Sequence, residues 1–155
     1  MKNKNKKGIS AIIATVMIIL ITVAAVSIVW AAIIPMIRNQ LETATVCVDA
    51  VSQIQIMNKG YTCVNRTSGN VSVQVSRGAK EFDLVNIDVL VSAKGNTQTF
   101  PAIGVMPDSN EERVYVIATG MNADDIESVQ IAPIITIGNS EKTCDVSSTV
   151  VLRAC

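Results

Sequence analysis

An uncharged, apolar stretch near the N-terminus dominates the organisation of this 155-residue chain: residues 9–37 read ISAIIATVMIILITVAAVSIVWAAIIPMI. The residues in it that are not apolar are Ser10, Thr15, Thr22, Ser27 and Pro35. About 20 helical residues cross the hydrocarbon core of a bilayer, and the apolar core of a secretory signal peptide has only about 7–15. The stretch is apolar on every side, unlike an amphipathic surface helix. It therefore predicts a transmembrane helix.

Charge is unevenly distributed along the chain, although 13 basic and 13 acidic side chains give a net charge of zero. Residues 1–8 carry four lysines and no acid, and no charged side chain occurs from Gly8 to Ile37. The positive-inside rule places this basic end in the cytoplasm and everything after Ile37 outside. Without residues 1–8, nine basic and thirteen acidic side chains remain, a net charge of −4.

We predict where the helix is disturbed and where it ends. Pro35 has no N–H to bond to the carbonyl of Ala31, so we expect a kink or a local loosening before it. We expect the helix to resume after Pro35 and to end near Cys47. Residues 9–46 are thus assigned to the helix and residues 47–155 to a separate head.

The head has the residue pattern of antiparallel sheet. Valines alternate with polar residues in the run 71–75, and apolar residues alternate in the same way in the run 84–91, with Gly, Asn and Ser between the runs. Lys94-Gly95-Asn96 predicts a hairpin turn. Pro133 predicts that the run 129–137 is an edge strand or is broken there. The predicted fold class is α+β: a long N-terminal hydrophobic helix followed by a small antiparallel β-sandwich-like head of about six strands.

The four cysteines predict disulfides in an exported head. Cys47, Cys63, Cys144 and Cys155 form no C-x-x-C motif, so neither a thioredoxin-type site nor a zinc ribbon is supported. Outside the cytoplasm, disulfides are the favoured state. Four cysteines allow three pairings, and proximity along the chain favours Cys47–Cys63 with Cys144–Cys155.

Two N-glycosylation sequons lie close together: Asn65-Arg66-Thr67 and Asn70-Val71-Ser72. Their position in a predicted turn of an exported domain favours glycosylation at Asn65 and Asn70. Sequons also arise by chance in stretches rich in Ser, Thr and Asn, and this alternative stays open.

The sequence predicts no catalytic centre, no metal site and no cofactor. There is no His, which excludes His-based triads and imidazole ligands, and aromatic residues make up only 3% of the chain, too few for a platform that stacks nucleic-acid bases. The acidic cluster Asp124-Asp125-x-Glu127 lacks the EF-hand order and indicates a turn instead. Neither GxxxxGK[ST] nor GxSxG occurs. The chain is therefore predicted not to be an enzyme and to have no nucleic-acid partner.

The junction Lys6-Lys7-Gly8-Ile9-Ser10, where a basic segment meets the apolar helix at a glycine, resembles the class III signal sequence of archaeal type IV pilins. That resemblance implies that a membrane prepilin peptidase cuts after Gly8, that residues 1–8 are removed and that the helix stays in the mature subunit. Bacterial relatives of the family usually carry Glu at the fifth mature position, where this chain has Ile13. Assembly would then rest on apolar packing.

The resemblance also implies a function and a set of partners. The chain would be a structural subunit that enters the cytoplasmic membrane and then polymerises with itself into a cell-surface filament. A pilus assembly ATPase and a membrane platform protein would act with it. The alternative is a single-pass membrane anchor that carries an extracellular binding module, because a lysine-rich flank precedes many such anchors.

Small residues recur on the apolar helix at intervals of seven: Thr15 with Thr22, Ala24 with Ala31, and Ala25 with Ala32. Small side chains let apolar helices approach closely, so these positions are candidates for helix packing in a polymer. Ala and Thr are also frequent in ordinary transmembrane helices, which would give the same pattern.

Overall fold

A computed structural model describes the backbone of residues 6–155, with the side chains of residues 11–38 and 40–155. The chain divides into two compact units, one ending at Glu42 and the other comprising Thr43–Cys155. Residues 1–5 of the basic segment lie outside the described residues.

The described part of the first unit is helical. Helix α1 spans Lys6–Ile28, a π-helical turn spans Val29–Ile33, and helix α2 begins at Ile34 and ends at Gln53. The π turn ends two residues before Pro35, whose missing N–H frees a carbonyl within that turn. The loosening predicted at Pro35 is thus confirmed, as one widened turn.

Helix α2 continues past Cys47, where the sequence predicted its end. Its last turns belong to the second unit, in which Ala50 is fully buried and packs with Ile135 and Cys144. The carbonyl of Gln53 accepts a hydrogen bond from the Gly78 N–H at 2.9 Å. Burial of one face therefore extends the helix through a β-branched stretch that has low intrinsic helix propensity.

Nine strands follow α2 in two antiparallel sheets. In chain order they are β1 (Ile54–Ile56), β2 (Cys63–Val64), β3 (Asn70–Arg77), β4 (Leu84–Ala93), β5 (Asn96–Pro101), β6 (Glu112–Ala118), β7 (Ile126–Ile137), β8 (Ser140–Thr143) and β9 (Ser148–Val151). In the first sheet β3 is central, with β1 and β2 on one side and β6 on the other. In the second sheet β4 pairs with β5 and β7, and β7 pairs in turn with β8 and β9.

The core lies between the two sheets and follows the alternation of the sequence. The inward side chains of β3 and β4 are fully buried and belong to one cluster; they are Val71, Val73, Val75, Ile87, Val89 and Val91. Their neighbours along each strand are partly exposed and, apart from Leu90, polar. The protein is therefore an α+β fold, as predicted, with its sheets packed face to face.

The predicted hairpin is present between β4 and β5. Ala93 pairs with Asn96, which leaves Lys94 and Gly95 as a two-residue loop with φ values of 46° and 77°. Positive φ at both positions is the signature of a type I′ turn.

Strand β7 differs from the prediction made from Pro133, because it is unbroken and lies inside its sheet. Pro133 stands opposite Ile87 of β4, whose own carbonyl accepts from Ala102 on the other side at 2.8 Å. On the remaining side, β7 pairs with β9 up to Ile131, where β9 begins, and with β8 from Ile134, where β8 ends. The missing N–H of Pro133 thus falls where it interrupts no ladder.

A glycine at the end of the β2–β3 loop is required by its surroundings. Gly69 has a φ of 72°, and a Cβ there would lie 2.7 Å from the carbonyl oxygen of Met121. Gly120 has a similar φ of 64°, but a Cβ there would meet nothing within 4 Å. Both positions have a backbone conformation that favours glycine, but only at Gly69 would a side chain also clash with its surroundings.

We expect Gly69→Ala to lower the free energy of unfolding by about 2–4 kcal/mol, because strain at positive φ and overpacking against backbone add together. Gly120→Ala is the matched control and should cost only about 1 kcal/mol. Thermal denaturation of the detergent-solubilised chain measures both. Equal decreases in melting temperature would contradict the steric argument.

Candidate assembly interface

The apolar stretch of the first unit is uncovered. Every side chain of residues 11–33 is exposed within this unit, including large ones such as Ile21 at 67% and Trp30 at 66%. Such a surface in a single chain calls for lipid or another protein to cover it. Among the residues that the structure describes, one helical stretch, Ala11–Gln53, is long and apolar enough to cross a membrane.

The hydroxyl groups of residues 11–37 are bonded within their own helix. Thr15 donates to the carbonyl of Ile12 and Thr22 to that of Ile19, both at 2.9 Å. Ser27 donates to the carbonyl of Val23 at 2.8 Å. These polar groups therefore need no outside partner and cost little when lipid or an apolar helix covers them.

The small residues of the helix divide between two faces. At about 100° per residue, Thr15, Thr22 and Ala25 fall within about 80° of arc, whereas Ala24 lies about 160° from Thr22. Ala31 lies in the π turn, where the angular step changes. The helix brings Thr15, Thr22 and Ala25 together on one face and places Ala24 on another. Neighbouring helices can therefore approach closely on more than one side.

The candidate cleavage junction lies at the start of α1. The backbone is helical from Lys6 through Lys7, Gly8, Ile9 and Ser10, a feature that the sequence did not predict. A protease that binds an extended substrate must unwind this turn. Glycine favours unwinding, because it costs about 1 kcal/mol relative to alanine within a helix.

The disulfide pairing predicted from proximity is wrong. Cys47 is bonded to Cys144, and Cys63 is bonded to Cys155. The bonded pairs are 97 and 92 residues apart in sequence, so each bridge closes most of the head rather than a local loop.

Tertiary packing explains the pairing that is found. Cys47 lies on the α2 face that packs against Ile135, and Cys144 follows β8 into the same small cluster. The C-terminal residues run parallel to β2: the Val64 N–H donates to the carbonyl of Arg153, and the Cys155 N–H donates to that of Val64. Cys63 and Cys155 are thereby brought to a Cα–Cα distance of 5.1 Å.

Two residues of the acidic cluster, Asp124 and Asp125, lie in a turn, as predicted, whereas Glu127 lies in β7. Ala123–Asp125 form a single 3-10 turn, Asp125 pairs with Lys94 at 2.6 Å, and Asp124 lies 3.8 Å from Arg66. The hydrogen bond from Lys94 to Asp125 raises the pKa of the ammonium. Within residues 6–155, no group of three or more His, Cys, Asp or Glu side chains is arranged to hold a metal ion.

One exposed apolar feature of the head was missed by the sequence reasoning. Strand β6 is an edge strand whose outward side chains include Val114, 45% exposed, and Val116, 61% exposed. The signal was the unbroken apolar run VYVI at residues 114–117, which indicates apolar residues on both faces of a strand.

The helix and the disulfides together indicate a membrane-anchored protein whose head lies outside the cytoplasm. No model of a known protein family matches the chain, and no curated protein matches it.

Proposed function

We propose that this chain is a structural subunit of an archaeal type IV pilus-like surface filament that polymerises through its N-terminal helix and serves adhesion, surface contact or motility. The observation that carries the proposal is the uncharged helix surface of residues 11–33, which no part of its own unit covers. Small residues on two faces of this surface allow neighbouring helices to pack on more than one side. A polymer core requires that arrangement, whereas a lone anchor does not.

The junction at Gly8 supports a change of state from membrane protein to polymer. Four lysines precede it, and each costs on the order of 3 kcal/mol in hydrocarbon. While they are attached, they hold the N-terminus at the cytoplasmic face. Once they are removed, the helix passes from lipid into a protein bundle without that cost.

The proposal assigns the energy and the processing to other proteins. A prepilin peptidase would cut after Gly8, and a pilus assembly ATPase with its membrane platform protein would drive extraction of the helix. The subunit itself supplies the apolar core and the surface head. The two disulfides would hold the head folded on the cell surface.

A monomeric, membrane-anchored binding module is the second candidate. It is favoured by the compactness of Thr43–Cys155 as a unit of its own, since such a head can act without polymerising. The two candidates differ in the mature N-terminus, because only the pilin-like subunit is cut after Gly8.

Mass spectrometry of the protein purified from the cell surface tests the proposal. The expected mature N-terminus is Ile9, and the protein is expected in filaments sheared from cells. An intact N-terminus at Met1 or Lys2, with all of the protein remaining in the membrane fraction, would instead identify the anchored module.

Enlarging a small residue on the packing face should disrupt assembly. We expect Ala25→Phe or Thr22→Phe to reduce the yield of sheared filaments at least tenfold, because a phenyl ring holds neighbouring helices apart. Leu20→Phe is the control, since it exchanges one large apolar side chain for another. Filament yield is measured by electron microscopy and immunoblotting, and head folding by the disulfide map. Normal filaments from both small-to-large variants would exclude the packing role of this face.

A further inference from the structure

The two sequons of the head lie in one hairpin but in different backbone environments. Asn65-Arg66-Thr67 lies in the loop that joins β2 to β3, and Asn70-Val71-Ser72 forms the first three residues of β3. Both triplets fit the same sequence motif, and only the fold distinguishes their environments.

The first sequon is presented to solvent. Asn65, Arg66 and Thr67 are all exposed. The Asn65 Oδ1 accepts hydrogen bonds from the backbone N–H groups of Thr67 and Ser68, at 2.9 and 3.2 Å. Because those donors require an oxygen, the orientation of the carboxamide is fixed: the oxygen is turned to the loop, and the Nδ2 amide lies on the other side of the group.

The second sequon is built into the middle of a sheet. Asn70 is half-buried, its carbonyl accepts from the Asn65 N–H at 2.9 Å, and it pairs with Ala118 of β6. Val71 is fully buried and Ser72 is paired with both β2 and β6. An enzyme could bind this backbone only by separating β3 from strands on both sides.

The loop that carries Asn65 is held in one shape by the rest of the head. The Gly69 N–H donates to the Asn65 carbonyl at 2.9 Å, and the Thr119 hydroxyl donates to the Gly69 carbonyl at 2.8 Å. Cys63, two residues before Asn65, is tied to the C-terminus. The difference between the two sequons is therefore a lasting property of the folded head.

We propose that the folded head is N-glycosylated at Asn65 and not at Asn70. In the reaction, the Nδ2 of Asn65 attacks the anomeric carbon of an oligosaccharide carried on a polyprenyl phosphate. A carbon–nitrogen bond forms, the bond from that carbon to the phosphate oxygen breaks, and the carrier phosphate leaves with the electron pair. One Nδ2 proton passes to a base of the transferase. Of this chain, the reaction requires that the folded head lies outside the cytoplasm, and it does not depend on filament formation.

A glycan at Asn65 also constrains assembly. The β2–β3 loop would have to face solvent in any polymer, because a bulky, hydrated sugar chain does not fit into a packed protein interface. The loop end of the first sheet is thereby excluded from contacts between subunits.

Glycopeptide mapping of the full-length protein, purified from its native host, tests the assignment. The wild-type protein is expected to carry one glycan, on the peptide containing Asn65. Asn65→Gln and Thr67→Ala should each remove the entire mass increment. Asn70→Gln should retain all of it, and so should Thr67→Ser, which preserves the sequon. The Cys63–Cys155 peptide, recovered without reduction, shows that each variant has folded.

Three results would overturn the assignment: a glycan on Asn70 alone, glycans on both asparagines, or an unmodified Asn65 in the folded wild-type protein. The N-terminal peptide from the same digest reports cleavage after Gly8 independently. Failure of the glycan assignment and failure of the filament proposal can thus be told apart.

Discussion

Replacing Cys47 and Cys144 together by serine is expected to lower the free energy of unfolding of the head by about 4–5 kcal/mol. The bridge closes a loop of 97 residues, and in the chain-entropy model a loop of about 100 residues contributes about 4.7 kcal/mol. Losing this amount would remove a large part of the stability of a small domain, which is typically about 5–15 kcal/mol. Thermal denaturation of the detergent-solubilised protein measures the loss as a fall in melting temperature.

Two further double variants make this experiment specific for the pairing. Cys63→Ser with Cys155→Ser removes a bridge over a separation of 92 residues and should cost nearly the same, because loop entropy varies only with the logarithm of loop length. Cys47→Ser with Cys63→Ser removes one partner from each bridge and should cost more than either matched pair. If this mixed variant were instead as stable as a single-bridge variant, the pairing would have to be local.

Replacing Gly8 by valine is expected to abolish processing and reduce sheared filaments below detection. A β-branched side chain obstructs close approach of the backbone in a protease cleft, and the four lysines then stay attached to the apolar helix. Their cost in hydrocarbon, on the order of 3 kcal/mol each, opposes movement of the helix from lipid into a polymer. Intact mass and the amount of protein in the sheared fraction measure the two effects.

Ser10→Ala is the control for this variant, because it changes the same segment and leaves Gly8 in place. It should be cut normally and should form filaments. Filaments built from uncleaved Gly8→Val subunits would show that polymerisation does not depend on removing the lysines, and the proposed change of state would then be wrong.

Much of the fold could be predicted from the sequence, because it depends on interactions between residues close together in the chain. The helix of residues 9–37 follows from length and apolarity, and the π turn before Pro35 follows from one missing N–H. The strands β3 and β4 follow from alternation of apolar and polar residues. The Lys94-Gly95 turn follows from the tolerance of glycine for positive φ. Each of these features depends on residues close together in the chain.

The candidate assembly site could be predicted to the same extent. The sequence predicted the uncharged surface and the small residues at intervals of seven. Their division between two faces became clear only when the helix set their directions: Thr22 and Ala25 lie on one side, and Ala24 on another.

The end of α2, the place of Pro133 in its sheet and the disulfide pairing depend on tertiary structure. The end of α2 at Gln53 depends on Ala50 packing against Ile135, more than 80 residues further along the chain. Pro133 is tolerated inside its sheet because its missing N–H falls in the gap between β8 and β9. The sequence supplied four cysteines outside the membrane, but which of them are partners was set by strand order and by the parallel run of the C-terminus beside Val64. Distance along the chain does not measure distance in a fold where the closest neighbours come from opposite ends of the head.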